Sequence, residues 1–261
     1  MLTALLHGKA GRVEIEGKAV AWRELFRKRE DLLTGVLFGR LPYLTADAHN
    51  AFLSLLLGGE IASELGTLQT IEFWPKLHSG KHRGFVEPDV LINYPKHRVM
   101  VEVKPPHAGV QRLEQWRAEV RALELEEDVA SPIVLLALGR NPNHSSEMVA
   151  ALQLEFSDAR LRVVCREWWE VMRGLGAMMA NACIQDSRII QDWLDAFGLF
   201  GMANERAPFG DLFSHLSPVE DLSDSFDVLT HWRSTISCKN AARVIDWQSL
   251  MPLVQAFKSD E

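Results

Sequence analysis

Apolar residues fall at helical spacing in the segment that follows Trp22. Leu32, Leu33, Val36 and Leu37 share one face of the helix predicted over Trp22–Phe38, and Pro42 ends this pattern. Thr45 has the side chain and the position of an N-cap for a second helix, Ala46–Leu57. A third, short helix is predicted over Glu60–Leu65. The N-terminal part of the chain is therefore predicted to pack as helices.

A second set of segments has the length and the β-branched or aromatic composition of strands. Val86–Ile92 and Val99–Val103 are split by a turn at Asn93–His97, which predicts a hairpin. The other predicted strands are Val13–Ile15 with Ala19–Trp22 around Gly17, Thr67–Leu77, and two buried strands, Pro132–Leu138 and Leu161–Cys165.

Helical patterns over Val110–Leu125 and Glu147–Leu154 alternate with the later strands. This order predicts an α/β fold, a mixed sheet flanked by helices, in which the strand–helix–strand unit Val99–Leu138 crosses over right-handedly.

The character of the chain changes at Trp168. Two helices, Trp168–Met179 and Ser187–Phe200, precede a segment rich in Gly, Pro, Ser and Asp, Pro208–Phe226, which predicts a loop. None of these segments carries clustered chemistry. The predicted organisation is a core over residues 1–167 and a mainly helical C-terminal extension over residues 168–261.

Composition narrows the class of protein. With 261 residues, 47% of them hydrophobic, the chain has enough apolar content for a large core. It lacks an apolar run of the roughly 18 residues that a membrane span needs, and its start is a poor signal peptide. Its three cysteines form no CxxC pair, which disfavours a disulfide framework and a zinc site. We expect a cytoplasmic protein that does not bind membranes.

The predicted hairpin carries the most informative polar residues of the chain. Strand alternation places Glu102 and Lys104 on one face, and Asp89 would lie on the neighbouring strand. A carboxylate in an apolar strand costs several kcal/mol unless it is paired or binds a cation. Asp89 and Glu102 could share one hard cation, because Mg²⁺ prefers oxygen ligands. The alternative is an ordinary hairpin with a solvated Glu102–Lys104 salt bridge.

In these residues the chain resembles the PD-(D/E)XK nuclease superfamily. Pro88-Asp89 matches the first half of the motif, and Glu102-Val103-Lys104 matches the second half. Gln115, eleven residues after Lys104, matches the glutamine that relatives carry in the next helix. The resemblance covers roughly the first two thirds of the chain and implies a restriction-endonuclease-like fold.

The resemblance also implies a metal-dependent nuclease. Asp89 and Glu102, helped by the backbone carbonyl of Val103, would hold Mg²⁺ or Mn²⁺. Lys104 would orient or activate the attacking water, and the ion would stabilise the charge on the scissile phosphate.

Two further residues have roles implied by the same resemblance. Glu30 would complete the acidic site from an N-terminal helix, with Glu60 and Glu64 as rivals for that role. Gln115 would position Lys104 or the substrate backbone, and a plain surface glutamine is the alternative.

The net charge of −7 is unusual for a nucleic-acid-binding protein, but basic residues cluster near the hairpin. The predicted contacts to DNA are Lys81, Arg83, Lys96 and Arg98. Relatives of this size in the superfamily typically act in restriction, phage defence or mobile-element processing. The protein could work as a homo-oligomer or with a partner protein of such a system, and the sequence leaves both possibilities open.

Two other classes of function compete with the nuclease. The acidity and the motif-poor last third fit a catalytically inactive binding or structural subunit of a larger complex. A Ser- or Cys-based hydrolase has little support, because the chain has no G-x-S-x-G elbow.

Overall fold

The computed structural model describes residues 2–15, 17–27, 29–79, 84–107, 109–125, 131–156 and 161–202. The chain divides into two units, Met1–Arg206 and Ala207–Glu261, and all described residues belong to the first. The predicted loop Pro208–Phe226 lies outside the described residues, as does most of the predicted C-terminal extension.

Helices and strands alternate along the described part of the chain. The helices are α1 (Leu2–Leu6), α2 (Trp22–Arg27), α3 (Glu30–Phe38), α4 (Ala46–Leu57), α5 (Gly59–Leu65), α6 (Leu113–Glu124), α7 (Ser145–Glu155), α8 (Trp168–Met179) and α9 (Ile184–Leu199). The strands are β1 (Arg12–Ile15), β2 (Lys18–Ala21), β3 (Thr70–Phe73), β4 (Val90–Asn93), β5 (Arg98–Val103), β6 (Ile133–Leu138) and β7 (Leu161–Arg166).

Five strands form one mixed sheet in the order β3-β4-β5-β6-β7. The first three pair antiparallel, and a turn of only a few residues joins β4 to β5. The last three are parallel, and the connections between them contain α6 and α7. The fold is therefore mixed α/β, as the sequence predicts. The separate β1–β2 hairpin is also confirmed.

Alternate residues of the central strands face two different hydrophobic clusters. Val101 and Val103 pack in the cluster that includes residues of α3, α4, α8 and α9, whereas Met100 packs in the cluster that includes α6 and α7. All six residues of β6 are buried, because both faces of the sheet are covered at its centre. Glu102 follows the period of Met100 and so faces the α6 side.

Several predicted elements differ from the structure. The first strand of the hairpin, predicted over Val86–Ile92, spans Val90–Asn93. The helix predicted over Trp22–Phe38 is two helices, because Arg29 is extended and no apolar residue between Phe26 and Leu32 could anchor a continuous helix to the core. The predicted strand Thr67–Leu77 shortens to β3, and Trp74 follows it with a φ of 50°. Strand β7 is mostly half-buried instead of buried, because it lies at the edge of the sheet.

Helices α8 and α9 pack on the same core as the sheet, although the sequence places a boundary after residue 167. Trp193 of α9 is fully buried, stacks on Phe52 at 4.7 Å between ring centroids, and donates a hydrogen bond to the Val36 carbonyl. Trp168 begins α8 and is 2% exposed. Both helices belong to the unit that contains the sheet.

Candidate metal centre

Asp89 and Glu102 converge at one end of the β4–β5 hairpin. Asp89 directly precedes β4, and its Oδ2 accepts a hydrogen bond of 2.8 Å from the Val103 backbone N–H. Asp89 and Glu102 are 6% and 1% exposed, so both carboxyl groups are buried. Together with Glu30 they offer one oxygen each, all within 4.8 Å of one another.

Lys104 lies among these carboxylates. Its Nζ forms an ion pair with Glu102 Oε1 and a second with Glu30 Oε1, at 3.0 Å for the latter. Lys104 follows the last residue of β5, and Glu30 is the first residue of α3. Glu30 thus meets Glu102 and Lys104 at the end of the hairpin, although 72 and 74 positions separate them in the sequence. The sequence predicts this convergence of Glu30 with Asp89, Glu102 and Lys104.

Helix α6 contributes a polar side to the same cluster. The Gln115 amide Nε2 donates hydrogen bonds of 2.6 Å to Glu102 Oε1 and 3.0 Å to Glu119 Oε1. The structure therefore connects Gln115 to the carboxylates and does not leave it as a plain surface residue. Gln115 therefore bonds to Glu102, which in turn pairs with Lys104, and its expected role of positioning Lys104 or the substrate backbone stays a prediction.

Sequence reasoning missed Glu119, which is 2% exposed. The signal was present, because Glu119 lies one helical turn after Gln115 and next to the buried Val120. An acidic residue beside the apolar stripe of a helix needs a partner or a charge of opposite sign. Its Oε2 accepts no hydrogen bond from the described residues.

Burial and mutual repulsion shift the ionisation of this cluster. Burial, followed by the charge of Glu102, raises the pKa of Asp89 to about 8. Burial, followed by the charge of Glu119, raises the pKa of Glu102 to about 8, and burial raises the pKa of Glu119 to about 7. Burial alone would lower the pKa of Lys104, but Glu102 and Glu30 outweigh it and raise that pKa. The lysine therefore stays charged.

Buried side chains from other elements fix the backbone under these groups. Gln111 is 3% exposed and donates from Nε2 to the Glu102 and Gly139 carbonyls, at 3.1 and 3.3 Å. The Trp116 indole donates to Gln111 Oε1 at 2.9 Å. These contacts were not expected from the sequence, since they join residues of three elements.

The rivals of Glu30 lie elsewhere. Glu64 on α5 forms an ion pair with Arg162 at the start of β7 and lies 3.3 Å from His97 Nε2. Glu60 is an exposed residue of the same short helix. Of the three candidates, Glu30 is the one that the structure brings to Asp89 and Glu102.

Of the four predicted substrate contacts, the two that the structure describes, Lys96 and Arg98, lie away from the carboxylates. Arg98 begins β5 and bonds to Asn93, and Lys96 is exposed in the hairpin turn. At about 3.3 Å per residue, Arg98 is roughly 13 Å along the strand from Glu102. Lys81 and Arg83 lie outside the described residues. The roles of all four in binding DNA stay predictions, as does the role of the Val103 carbonyl in holding metal.

The chemistry of the donor set fits a hard divalent cation. Among the described residues, the Lys104 ammonium pairs with Glu30 and Glu102 and lies within electrostatic range of two further carboxyl groups, those of Asp89 and Glu119. Carboxylate oxygens are the protein ligands that Mg²⁺ and Mn²⁺ favour. The unpartnered, buried Glu119 Oε2 is a further acceptor that this set leaves unsatisfied. A cation would offset the excess negative charge.

Comparison with known proteins gives a relative but no functional name. No protein-family model matches the chain. The chain is 27% identical over 207 residues to an uncharacterized protein of Pasteurella multocida (strain Pm70), which covers 76% of this chain and 78% of that protein. Among the described helices, none is long and apolar enough to cross a membrane.

Proposed function

We propose that this protein is a nuclease that uses Mg²⁺ or Mn²⁺ to hydrolyse phosphodiester bonds of DNA. The observation that carries the proposal is the convergence of Glu30, Asp89 and Glu102 around Lys104 at the end of the β4–β5 hairpin. The mixed sheet with α6 between β5 and β6 supports a restriction-endonuclease-like fold.

Asp89 and Glu102 would hold the cation, with Glu30 as the third oxygen donor. When bound, the cation would lower the pKa of a coordinated water and offset negative charge on the scissile phosphate. Val103 orients the Asp89 carboxylate through its N–H, and Gln115 orients that of Glu102. Lys104 stays protonated and donates hydrogen bonds, so its role is to orient the water or to neutralise phosphate charge.

Exposed aromatic residues in the connection between β3 and Asp89 support a nucleic-acid substrate. The Trp74 backbone N–H donates to the Asp89 carbonyl at 3.0 Å, and the Trp74 side chain is 37% exposed. Phe85 is 50% exposed, and the Lys76 ammonium lies 4.9 Å from its ring centroid. Aromatic faces with adjacent cations suit contact with bases and phosphates. A cytoplasmic role in defence against phage or in mobile-element processing is part of the proposal.

Cleavage of supercoiled plasmid DNA with Mg²⁺ or Mn²⁺ tests the proposal. We expect nicking or linearisation by the wild type, loss of activity in Asp89→Asn, and full activity in Glu64→Gln. Glu64 is the matched control, because it is an acidic, ion-paired residue that lies away from Glu30 and Asp89. If the wild type cuts neither double- nor single-stranded DNA or RNA under these conditions, the proposed nuclease activity is refuted.

Burial of the cluster favours a second candidate, a binding or structural subunit that retains this site without catalysis. Glu102 and Lys104 are 1% and 9% exposed and already paired with each other. Such a subunit would bind Mn²⁺ and gain thermal stability from it, yet cleave nothing. Metal-dependent melting without cleavage in the same preparation separates this candidate from the nuclease.

A further inference from the structure

Glu119 is the buried carboxyl of the cluster to which no role has been given. It lies on α6, is 2% exposed, and accepts a hydrogen bond from Gln115 at its Oε1. Its Oε2 has no hydrogen-bond partner among the described residues. A buried carboxylate with an unsatisfied oxygen is costly, by about 1–3 kcal/mol or more. Such a group persists where a ligand or a function compensates that cost.

Gln115 connects Glu119 to the candidate metal centre. An amide nitrogen has two hydrogens, and Gln115 Nε2 directs them to two acceptors, Glu102 Oε1 at 2.6 Å and Glu119 Oε1 at 3.0 Å. The Glu119 carboxylate therefore decides which end of the Gln115 amide faces Glu102. An ionised carboxylate offers acceptors only, whereas an amide at residue 119 could present its NH₂ group instead. The Gln115 amide could then turn its oxygen towards the Glu102 carboxylate, which would repel it.

We propose that Glu119 is a positioning residue of the cation site, acting through Gln115 to hold the Glu102 carboxylate in its ligating orientation. Its free Oε2 is an acceptor for a water molecule of the hydrated cation, which would complete the hydrogen bonding of this buried group. This inference rests on the proposed function, since it assigns a residue to the same site. Outer partners of metal ligands typically contribute about 10- to 100-fold to metal affinity.

Mn²⁺ affinity, measured by calorimetry on the full-length protein, tests this role independently of catalysis. We expect Glu119→Gln to weaken Mn²⁺ binding about tenfold or more. The melting temperature without metal should stay the same or rise, because the substitution removes a buried carboxyl. The Mn²⁺-induced rise in melting temperature should shrink in parallel. Glu119→Asp keeps the charge but shortens the side chain, and should also weaken binding.

Glu114→Gln is the matched control. Glu114 lies on the same helix and undergoes the same change of charge, but it is exposed. We expect wild-type Mn²⁺ affinity from this variant. A double-mutant cycle tests the route of action: in a Gln115→Ala background, Glu119→Gln should cause little further loss, because both act through one contact.

Three results would overturn the proposal, and they are distinguishable. If Glu119→Gln lowers the metal-free melting temperature and leaves Mn²⁺ affinity at the wild-type value, Glu119 is structural and the nuclease proposal stands. If wild type and Glu114→Gln both fail to bind Mn²⁺, the metal centre itself is absent and both proposals fall. If the losses of Mn²⁺ affinity caused by Glu119→Gln and Gln115→Ala add in the double variant, Glu119 does not act through Gln115.

Discussion

The indole N–H of Trp168 donates a hydrogen bond of 2.8 Å to the backbone carbonyl of Lys104. Trp168 is the first residue of α8, so this helix anchors the backbone of Lys104, whose side chain pairs with the carboxylates. The contact is buried, with Trp168 2% exposed and packed edge-on to Phe197 of α9. A segment that seems chemically silent in the sequence thus supports the candidate metal centre.

Replacing Trp168 by Phe should destabilise the protein. The substitution leaves the buried Lys104 carbonyl without this donor, which costs about 1–3 kcal/mol. Urea unfolding, monitored by circular dichroism, measures the loss. Trp169→Phe is the control, because Trp169 is half-buried on the same helix and packs against the Arg173 guanidinium instead. Equal effects of the two substitutions would contradict the importance of the contact to Lys104.

Gly139→Ala should be strongly destabilising. Gly139 has a φ of +80°, and a Cβ atom there would lie 2.5 Å from the Lys104 carbonyl oxygen and still closer to the Trp168 indole. Strain of this kind costs on the order of 1–3 kcal/mol from the backbone alone, before the clash is counted. Gly176→Ala in α8 is the control, since its Cβ meets no atom within 4 Å. That change should stabilise the helix by about 0.5–1 kcal/mol. Melting curves of the two variants that shift in the same direction would contradict this expectation.

Lys104→Ala should separate catalysis from metal binding. The substitution removes the ammonium group that contacts Glu102 and Glu30, and with it the group proposed to act on water or phosphate. We expect plasmid cleavage to be lost while Mn²⁺ affinity stays the same or increases, because the cation no longer competes with the lysine. Calorimetry beside the cleavage assay measures both. A variant that still cuts DNA at the wild-type rate would remove Lys104 from the mechanism.

Stability without metal should fall as pH rises. Burial, followed by neighbouring carboxylate charge, raises the pKa of Asp89 and Glu102 to about 8 in the folded protein. Both groups titrate near pH 4 in an unfolded chain, so between about 4 and 8 the folded state binds more protons. The stabilisation that protonated Asp89 and Glu102 contribute is complete below about pH 4 and is lost as pH rises through about 8.

Urea unfolding in EDTA across a pH series from about 5 to 8 measures this slope. Asp89→Asn cannot ionise at residue 89 and should show a shallower decrease. Added Mn²⁺ should reduce or reverse the slope in the wild type, because the metal binds the deprotonated carboxylates. Glu114→Gln, a change at an exposed residue of α6, should leave the wild-type slope unchanged. A metal-free stability that rises across this range would contradict the burial of these carboxyl groups.

Local pattern determined the hairpin and much of the candidate site. Two short β-branched runs around a turn specify antiparallel strands, and the alternation of side chains then places Glu102 and Lys104 on one face. The helices Ala46–Leu57 and Trp168–Met179 were also predictable to the residue, since caps and apolar period are local properties. The mixed α/β class followed from the order of such elements.

Tertiary structure alone decided which distant groups complete the site. Glu30 rather than Glu60 or Glu64 reaches Asp89 and Glu102, because the packing of α3 on the sheet, and not the charge pattern, sets that distance. Glu119 and Trp168 contact the site from α6 and α8. The helical pattern marks Glu119 as an acidic residue beside an apolar stripe, but it does not give the partner of either residue. The physical reason is that hydrogen bonds and ion pairs between elements depend on three-dimensional packing, which the period of one segment does not encode.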